Sequence, residues 1–339
     1  MKVCIVGAGS MGGMLGVKMH NIGEDVTLIA RGPHLQAIEA NNGLKLIMHD
    51  GTVEFARGIK ATDDIRSVGP QDLVILAVKA HQIAPIVDDV NTLLVNDDAM
   101  LLTVQNGILW WYFQLHGGQF DSRVIETVDP GGKLANSIDP RKIIGSISYP
   151  AAEISQPGVI RHIEGVRMPI GELDGEEKQR TRELADMMNR AGFKTVILES
   201  IRAETWLKVM GNLSFNPVSA LTHSTLADIC QYEPSRDLID KMMTECREVA
   251  LRLGVGIRLS NERRISGAER VGKHKTSMLQ DIEVGKALEL EGLIGAVIEM
   301  ATLTGTQVPA MEAVYALIRL LDHTVQQEKV YIKAQPMDT

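Results

Sequence analysis

The sequence predicts an α/β protein, with a doubly wound amino-terminal domain followed by an all-helical carboxy-terminal domain. Over roughly the first 150 residues, short β-rich apolar runs alternate with helical stretches. The runs are continuously apolar, which is typical of parallel strands covered on both faces. Beyond about residue 199, long helical segments dominate. We therefore predict domains at 1–199 and 200–330, with a frayed tail at 331–339.

The composition limits the classes of function. The chain has 339 residues, of which 45% are hydrophobic and 23% are charged, and its formal net charge is −8. These values are ordinary for a globular protein, and the negative charge gives no general reason to expect nucleic acid as a partner. No apolar run approaches the roughly 20 residues that span a bilayer, and no signal-peptide core is evident. Three scattered cysteines favour a reducing, cytoplasmic compartment.

Each strand of the first domain is predicted from a run of apolar, β-prone residues. The predicted strands are 2–7, 25–30, 73–78, 100–105, 123–127 and 142–149. Two further runs, 158–162 and 167–172, are typical of a hairpin or an extension of the sheet. An amphipathic helix at 176–192 and a strand at 194–199 complete this domain.

The second domain is predicted from helical periodicity. Its helices are expected at 201–215, 234–254, 278–304 and 309–327. Glycine and proline within 302–309 separate the last two helices. Pro217 should end or kink the first helix, because proline lacks an amide hydrogen. The basic run 262–275 is predicted to be a solvated loop that could attract anions.

A glycine-rich turn follows the first strand. Gly7, Gly9 and Gly12 have the GxGxxG spacing and open a helix-like stretch. Gly7 permits a tight turn, Gly9 lets the backbone approach a pyrophosphate, and Gly12 allows the helix to pack closely on the strand. In this context the spacing predicts a Rossmann-type dinucleotide site. The alternative is a plain structural turn.

The residue after the second strand indicates which dinucleotide binds. NAD sites usually carry Asp or Glu there to hold the ribose hydroxyl. This chain has Arg31 instead. A guanidinium group suits a 2′-phosphate, so NADP(H) is the predicted cofactor. The alternative is that Arg31 is a solvated loop charge.

Polar residues also follow two later strands and recur along one helix. Lys79 and Asn106 come just after strands, and the ligand of an open α/β sheet lies beyond the carboxyl ends of its strands. Lys208, Asn212 and Asn216 are spaced by four residues, which places them on one side of their helix. That row is either a functional surface or the helix's solvated side.

With these residues identified, the sequence resembles the ketopantoate reductase (2-dehydropantoate 2-reductase) family over nearly its whole length. The resemblance rests on GAGSMG, ARG after the second strand, VKAHQ, QNG, the row that begins at Lys208, and SMLQD followed by Glu289. It implies a Rossmann domain joined to a helical domain, with the active site in the cleft between them. It also implies NADPH-dependent reduction of a 2-oxo acid to a 2-hydroxy acid.

The resemblance further implies a role for each candidate residue. Lys208 would be the general acid, and Glu289 would lie beside it at the nicotinamide end. The residues that would bind the substrate are Asn212, Asn216 and Ser277. The residues that would contact the cofactor are Gly7, Ala8, Gly9, Ser10, Met11, Gly12, Arg31, Lys79, Asn106 and Ala152. No metal is expected, since the histidines show no metal-binding spacing.

Two of these residues also have structural explanations. SMLQ matches a capping box, so Ser277 could serve only to begin the helix predicted at 278–304. A helix amino terminus is also a good site for a carboxylate, so capping and substrate binding are compatible. On an exposed helix face a glutamate is usually solvated, which is the alternative for Glu289.

The segment after QNG departs from the family pattern. Trp110, Trp111, Tyr112 and Phe113 are concentrated there. They could form core, form a homodimer contact, or shape a pocket for a bulkier substrate. Ketopantoate is the predicted substrate and pantoate the product, with another branched or aromatic 2-oxo acid as the alternative. A non-catalytic NADP-sensing regulator is the remaining alternative.

Overall fold

The computed structural model describes residues 1–335 and divides into two compact units. The first unit comprises residues 1–105, 109–124 and 129–201. The second comprises residues 106–108 and 125–128 and the chain from residue 202 onwards. Two short segments of the amino-terminal half therefore belong to the second unit, which the sequence pattern did not indicate.

The strands lie in the first unit. They are β1 (Lys2–Val6), β2 (Asp25–Ile29), β3 (Gly43–Ile47), β4 (Val53–Arg57), β5 (Lys60–Thr62), β6 (Leu73–Leu76), β7 (Met100–Thr103), β8 (Ile143–Ser146), β9 (Ala151–Gln156), β10 (Val159–Glu164) and β11 (Ile170–Glu172). The strands predicted at 123–127 and 194–199 are wrong. In the first run, residues 123–125 have no regular structure and residues 126–127 lie in a turn, and the second run contributes only isolated bridges at Lys194 and Ile197.

Seven strands form the main sheet, in the order β11-β8-β7-β6-β1-β2-β5. All neighbouring pairs are parallel except β11, which runs antiparallel to β8. The strand order reverses at β1, which lies between β2 and β6. In such sheets the ligand binds at this reversal, beyond the carboxyl ends of the strands. The predicted doubly wound α/β architecture is confirmed.

The helices complete both units. They are α1 (Ser10–Asn21), α2 (Gly32–Ala40), α3 (Val87–Leu93), α4 (Lys133–Ser137), α5 (Gln179–Arg190), α6 (Ile201–Thr222), α7 (Leu226–Gln231), α8 (Glu233–Arg252), α9 (Asn261–Val271), α10 (Ser277–Ile282), α11 (Ala296–Thr304) and α12 (Pro309–Glu328). The second unit is helical, as predicted. No helix within residues 1–335 is long and apolar enough to cross a membrane.

Apolar side chains cover both faces of the main sheet. Along β1, Val3 and Ile5 belong to one hydrophobic cluster, whereas Cys4 and Val6 belong to another. This alternation is the two-residue period of a strand. The first cluster includes buried residues of α1, and the second includes buried residues of α3. Helices on both faces explain why the strands are continuously apolar.

The remaining strands form a second sheet in the order β4-β3-β10-β9. Helix α1 packs on both sheets, and its glycines make this possible. A Cβ atom at Gly13 would lie 2.8 Å from the Ile160 side chain of β10. A Cβ atom at Gly16 would lie 2.6 Å from the Leu28 side chain of β2. The glycine-rich sequence of α1 therefore serves close packing as well as the turn before it.

Several helix predictions need correction. Helix α6 does not end at Pro217 but continues to Thr222, within a well-buried stretch whose packing offsets one lost hydrogen bond. The basic run predicted as a loop instead forms most of α9. Ser260 caps this helix by accepting a hydrogen bond from the Arg263 amide, and Ile265 is buried beneath it.

The single helix predicted at 278–304 is also wrong. Helix α10 ends at Ile282, and Gly285 follows with a φ of +68°. A π-helical turn at Glu291–Gly295 then leads into α11. Of the tail predicted to fray, residues 336–339 lie outside the described residues. Within the described part, the Ile332 amide donates a hydrogen bond to the Ile282 carbonyl.

Candidate active site

The glycine-rich turn joins β1 to α1 where the strand order reverses. Gly7 has a φ of +107°, and a Cβ atom there would lie 2.7 Å from Cγ1 of Val78. A Cβ atom at Gly12 would overlap the Gly7 carbonyl. Neither position tolerates a side chain without rebuilding the turn. A Cβ atom at Gly9, by contrast, would meet no described atom within 4 Å, so a ligand can approach the backbone there.

The same turn presents a helix amino terminus. Gly9 is the capping residue of α1, and no side chain of a described residue caps it. The amides of Gly7 and Ala8 donate to the Ile29 carbonyl at 3.2 and 2.8 Å, which fixes the turn against β2. The first-turn amides and the helix dipole favour a phosphate at this position. The turn therefore fits the pyrophosphate of a dinucleotide.

Ser10 and Met11 begin α1, and a loop of the same unit lies against them. Ser148 donates a hydrogen bond to the Met11 sulfur, with an oxygen–sulfur distance of 3.8 Å. Ala152, near the start of β9, packs on the same hydrophobic cluster as Met11. This places the loop before β9 beside the glycine-rich turn. A cofactor contact at Ala152 stays a prediction.

Arg31 and Lys79 follow the two strands that flank β1. Parallel pairing aligns Val6 with Ile29 of β2 and with Leu76 of β6. The two basic residues therefore lie at the same edge of the sheet as the glycine-rich turn. Arg31 is exposed and precedes α2, whereas Lys79 is partly buried. This edge provides positive charge on both sides of the expected pyrophosphate.

In the second unit, α6 carries Lys208, Asn212 and Asn216 on one side. Asn216 is 8% exposed, and Lys208 and Asn212 are partly buried. The row is therefore not the solvated side of the helix. An ammonium group and two carboxamide groups that are partly removed from water are unfavourable unless they form hydrogen bonds or ion pairs. The row is therefore a candidate binding site.

Lys208 is tied to a residue of the QNG stretch. Its Nζ donates a hydrogen bond to Oδ1 of Asn106, with a nitrogen–oxygen distance of 2.7 Å. Burial lowers the pKa of the Lys208 ammonium from 10.5 to about 8, and the nearby charge of Glu289 opposes this shift. Lys208 is therefore a cation that can release a proton near neutral pH.

Two glycines hold Asn106 in place. Gly107 has a φ of +93°, and a Cβ atom there would lie 2.5 Å from the Gly292 carbonyl oxygen. The next residue, Ile108, donates its amide hydrogen to that carbonyl at 2.7 Å. The QNG stretch thus packs backbone to backbone on the π-helical turn. Turns of this kind are frequent at functional sites.

Glu289 lies in an irregular segment, not on the exposed helix face considered from the sequence. The Leu288 amide donates to Oδ1 of Asp322 at 3.1 Å. Leu288 and Leu290 are both buried, and Glu289 between them is partly buried. These contacts fix the backbone on both sides of the carboxylate whose charge acts on Lys208.

Ser277 does not cap a helix, so that part of the sequence prediction is wrong. Thr276 caps α10 by accepting a hydrogen bond from the Leu279 amide, and Ser277 is the first helical residue. The Ser277 side chain is exposed. It is therefore not required as a cap, and substrate binding at Ser277 stays a prediction.

The aromatic segment is part of the core. The exposed fractions are 2% for Trp110 and Trp111 and 0% for Tyr112 and Phe113. The Trp111 indole donates a hydrogen bond to Thr103 of β7. Both tryptophans belong to the second hydrophobic cluster of the main sheet. Core packing therefore accounts for these four aromatic residues. Their presence is no longer a reason to expect a larger substrate pocket.

Two polar residues near the glycine-rich turn were not assigned roles from the sequence. His34 accepts a hydrogen bond from the Gly158 amide. Burial lowers the pKa of the His34 imidazole, and a backbone hydrogen bond with Ala8 acts in the opposite direction. Gln105 is buried behind the end of β6. His34 has no local motif, and the QNG motif alone gives Gln105 no role, because the hydrogen-bond partners of both side chains are distant in sequence. Within the described residues, no cluster of acidic, histidine or cysteine side chains could hold a metal.

Comparison with known proteins decides the family. The model of the family "Ketopantoate reductase PanE/ApbA" matches residues 3–175. The model of its carboxy-terminal domain matches residues 200–322. The chain belongs to the ketopantoate reductase family. It is therefore an oxidoreductase, which removes the alternative of a non-catalytic regulator.

Relatives of the family align along nearly the whole chain. A 2-dehydropantoate 2-reductase from Mesorhizobium japonicum is 45% identical, and the alignment covers 95% of this chain and 98% of the relative. A protein from Ralstonia solanacearum MolK2, provisionally named a ketopantoate reductase, has a crystal structure that is 32% identical. It superposes with a TM-score of 0.90 over 97% of this chain and 99% of that one.

A more distant structure shares the fold. D-mandelate dehydrogenase, solved with NADH and anilino(oxo)acetate, is 20% identical and superposes with a TM-score of 0.80. The superposition covers 96% of this chain and 99% of that chain. At this level of identity the likeness shows the architecture alone.

Proposed function

We propose that the chain catalyses the NADPH-dependent reduction of 2-dehydropantoate (ketopantoate) to (R)-pantoate, a step of pantothenate and coenzyme A biosynthesis. The observation that carries this proposal is the Lys208–Asn106 hydrogen bond beside Glu289, on a helix that also presents Asn212 and Asn216. The 45% identical relative that is named for this reaction supports the choice of substrate.

Lys208 would act as the general acid. NADPH, when bound, supplies the hydride for the C2 carbonyl carbon of the substrate. Negative charge then develops on the carbonyl oxygen, and a proton donor at that oxygen lowers the barrier by about 10²- to 10⁴-fold in rate. Lys208 suits this task, because its pKa of about 8 keeps it protonated at neutral pH yet ready to release the proton.

The neighbouring residues would orient the acid and the substrate. The Asn106 carboxamide is neutral and accepts a hydrogen bond from Lys208. It therefore orients the ammonium group without neutralising its positive charge. Glu289 keeps the pKa of Lys208 from falling further. The carboxamides of Asn212 and Asn216 would bind the carboxylate and hydroxyl groups of the substrate, with Ser277 as a further donor. These groups discriminate by hydrogen bonding, which rejects analogues that lack a partner.

NADP(H) is the cofactor that the charges favour. The glycine-rich turn fits a pyrophosphate, and the edge of the main sheet lacks a carboxylate after β2 but carries Arg31. A guanidinium group can form two parallel hydrogen bonds to a 2′-phosphate. NAD has a hydroxyl group at this position and cannot form the same pair. Lys79 would contact the cofactor from the opposite side of β1.

A substrate panel tests this proposal. Consumption of NADPH and of NADH is followed with ketopantoate, with straight-chain and branched 2-oxo acids, and with a phenyl-substituted 2-oxo acid. We expect the highest kcat/KM for ketopantoate with NADPH. Equal or better turnover of the phenyl-substituted acid would overturn the substrate assignment while leaving the reaction class intact.

A further inference from the structure

The carboxamide of Gln105 has a fixed orientation beyond the end of β7. Its side chain is 7% exposed, and its Nε2 donates hydrogen bonds to the carbonyls of Leu76 and Val78 at 2.8 and 2.9 Å. Carbonyl oxygens accept but cannot donate, so two such partners require the amide NH₂ group on that side. Oε1 of Gln105 must therefore point away from segment 76–78.

That oxygen is buried and accepts no hydrogen bond from any residue within 1–335. Native proteins rarely leave a buried acceptor without a donor, because the lost hydration is not replaced. A bound molecule that brings an N–H or O–H group would satisfy Gln105. The hydrogen bonds to Leu76 and Val78 hold the acceptor rigid, as a binding contact requires.

The position of Gln105 indicates which part of a dinucleotide it would meet. The pyrophosphate is expected at the turn of Gly7 and Gly9, and the adenosine end is expected towards Arg31 beyond β2. The nicotinamide half must then extend to the other side of β1, over the ends of β6 and β7. Gln105 lies there, since Val78, to which it is bonded, also packs against Gly7.

We propose that Oε1 of Gln105 accepts a hydrogen bond from the nicotinamide half of the bound cofactor. The donor is the carboxamide N–H or a hydroxyl of the adjoining ribose. The inference rests on the proposed function and adds to it a residue that recognises the reactive half. The same side chain is also hydrogen-bonded to segment 76–78, in which Val78 packs against Gly7 of the glycine-rich turn. Gln105 would therefore support the turn as well as contact the cofactor.

Calorimetric binding to Gln105→Met tests the contact apart from catalysis. Methionine has a similar length and volume but neither an amide acceptor nor an amide donor. The two ligands are NADP⁺ and adenosine 2′,5′-bisphosphate, which lacks the nicotinamide half. We expect the Kd for NADP⁺ to rise by about 10-fold, as for one buried hydrogen bond. The Kd for the fragment should stay within about 2-fold.

Gln71→Met is the matched control. Gln71 is also buried, at 5% exposure, and its Nε2 donates to two carbonyls, those of Gly69 and Pro70, but it precedes β6 at the opposite edge of the sheet. Its substitution should leave both Kd values unchanged. Gln105→Asn, which withdraws the amide oxygen by one carbon, provides the same readout if Gln105→Met does not fold.

The possible outcomes separate the explanations. Equal weakening of both ligands, or no change in either, would overturn the proposal, because Gln105 would then be only a brace or irrelevant to binding. The 3-acetylpyridine analogue of NADP⁺ identifies the donor. A preference for NADP⁺ that disappears in the variant supports the carboxamide, and one that persists supports the ribose. A wild-type protein that binds neither dinucleotide would refute the proposed function and this inference with it.

Discussion

The Lys208 ammonium donates a hydrogen bond to the Asn106 side chain across 2.7 Å, although the two residues are 102 positions apart in the chain. The contact depends on backbone packing, because Gly107 lies directly against Gly292. An amide partner directs the ammonium without neutralising it. Burial lowers the pKa of Lys208 to about 8, and the negative charge of Glu289 opposes this shift.

The pH dependence of reduction should follow Lys208. In the proposed mechanism the protonated form of Lys208 is the acid, so kcat/KM should fall as the pH rises through about 8. Glu289→Gln removes the negative charge that raises this pKa, so the alkaline limb should move to lower pH. Glu312→Gln, on the exposed start of α12, makes the same chemical change and should leave the limb in place. An unmoved limb in Glu289→Gln would contradict the electrostatic coupling.

Gly107→Ala should destabilise the protein and lower its activity. Gly23 has the same φ of +93° but no described atom near its Cβ position, so Gly23→Ala measures the backbone strain alone. That strain costs about 1–2 kcal/mol. Overlap with Gly292 should add about 1–3 kcal/mol for Gly107→Ala. Thermal unfolding of the two variants provides the comparison, and equal midpoints would show that the Gly107–Gly292 packing does not matter.

Arg31→Ala should reduce the proposed preference for NADPH over NADH. A charge-assisted hydrogen bond contributes about 1.5–3 kcal/mol, so the Kd for NADPH should rise by roughly 10- to 150-fold. The Kd for NADH should change little, because it has no 2′-phosphate. Arg57→Ala, at an exposed position of β4, is the control. If both cofactors weaken equally in Arg31→Ala, the residue supports the fold rather than the phosphate.

The sequence predicts the core strands well because their apolar runs are continuous, but it mistakes strands fixed by distant contacts. The run 123–127 contains the β-prone residues Val124, Ile125 and Thr127, yet residues 123–125 have no regular structure and residues 126–127 lie in a turn. The Glu299 carboxylate accepts hydrogen bonds from the amides of Glu126 and Thr127 at 2.9 and 2.8 Å, which replace the bonds of a sheet. Conversely, β4 was missed because Glu54 and Arg57 interrupt its short apolar pattern and most of its side chains are at least partly exposed.

The candidate site was likewise predicted only where local sequence spacing determines the structure. The spacing of Lys208, Asn212 and Asn216 follows from helical geometry, and its partial burial agrees with a functional row. Local pattern failed at Ser277, since the capping group belongs to Thr276, one residue earlier. It also could not reveal the bonds of Gln105 to β6, because register between strands is set by the folded sheet.

The most direct test of Lys208 as the general acid is the kcat for ketopantoate reduction by Lys208→Met at saturating NADPH. We expect kcat to fall by roughly 10²- to 10⁴-fold. The Kd for NADP⁺ should stay within about 2-fold of the wild-type value, because the acid acts on the substrate oxygen. Lys241→Met, at an exposed position of α8, should retain wild-type turnover. A Lys208→Met enzyme with nearly wild-type kcat would contradict the account.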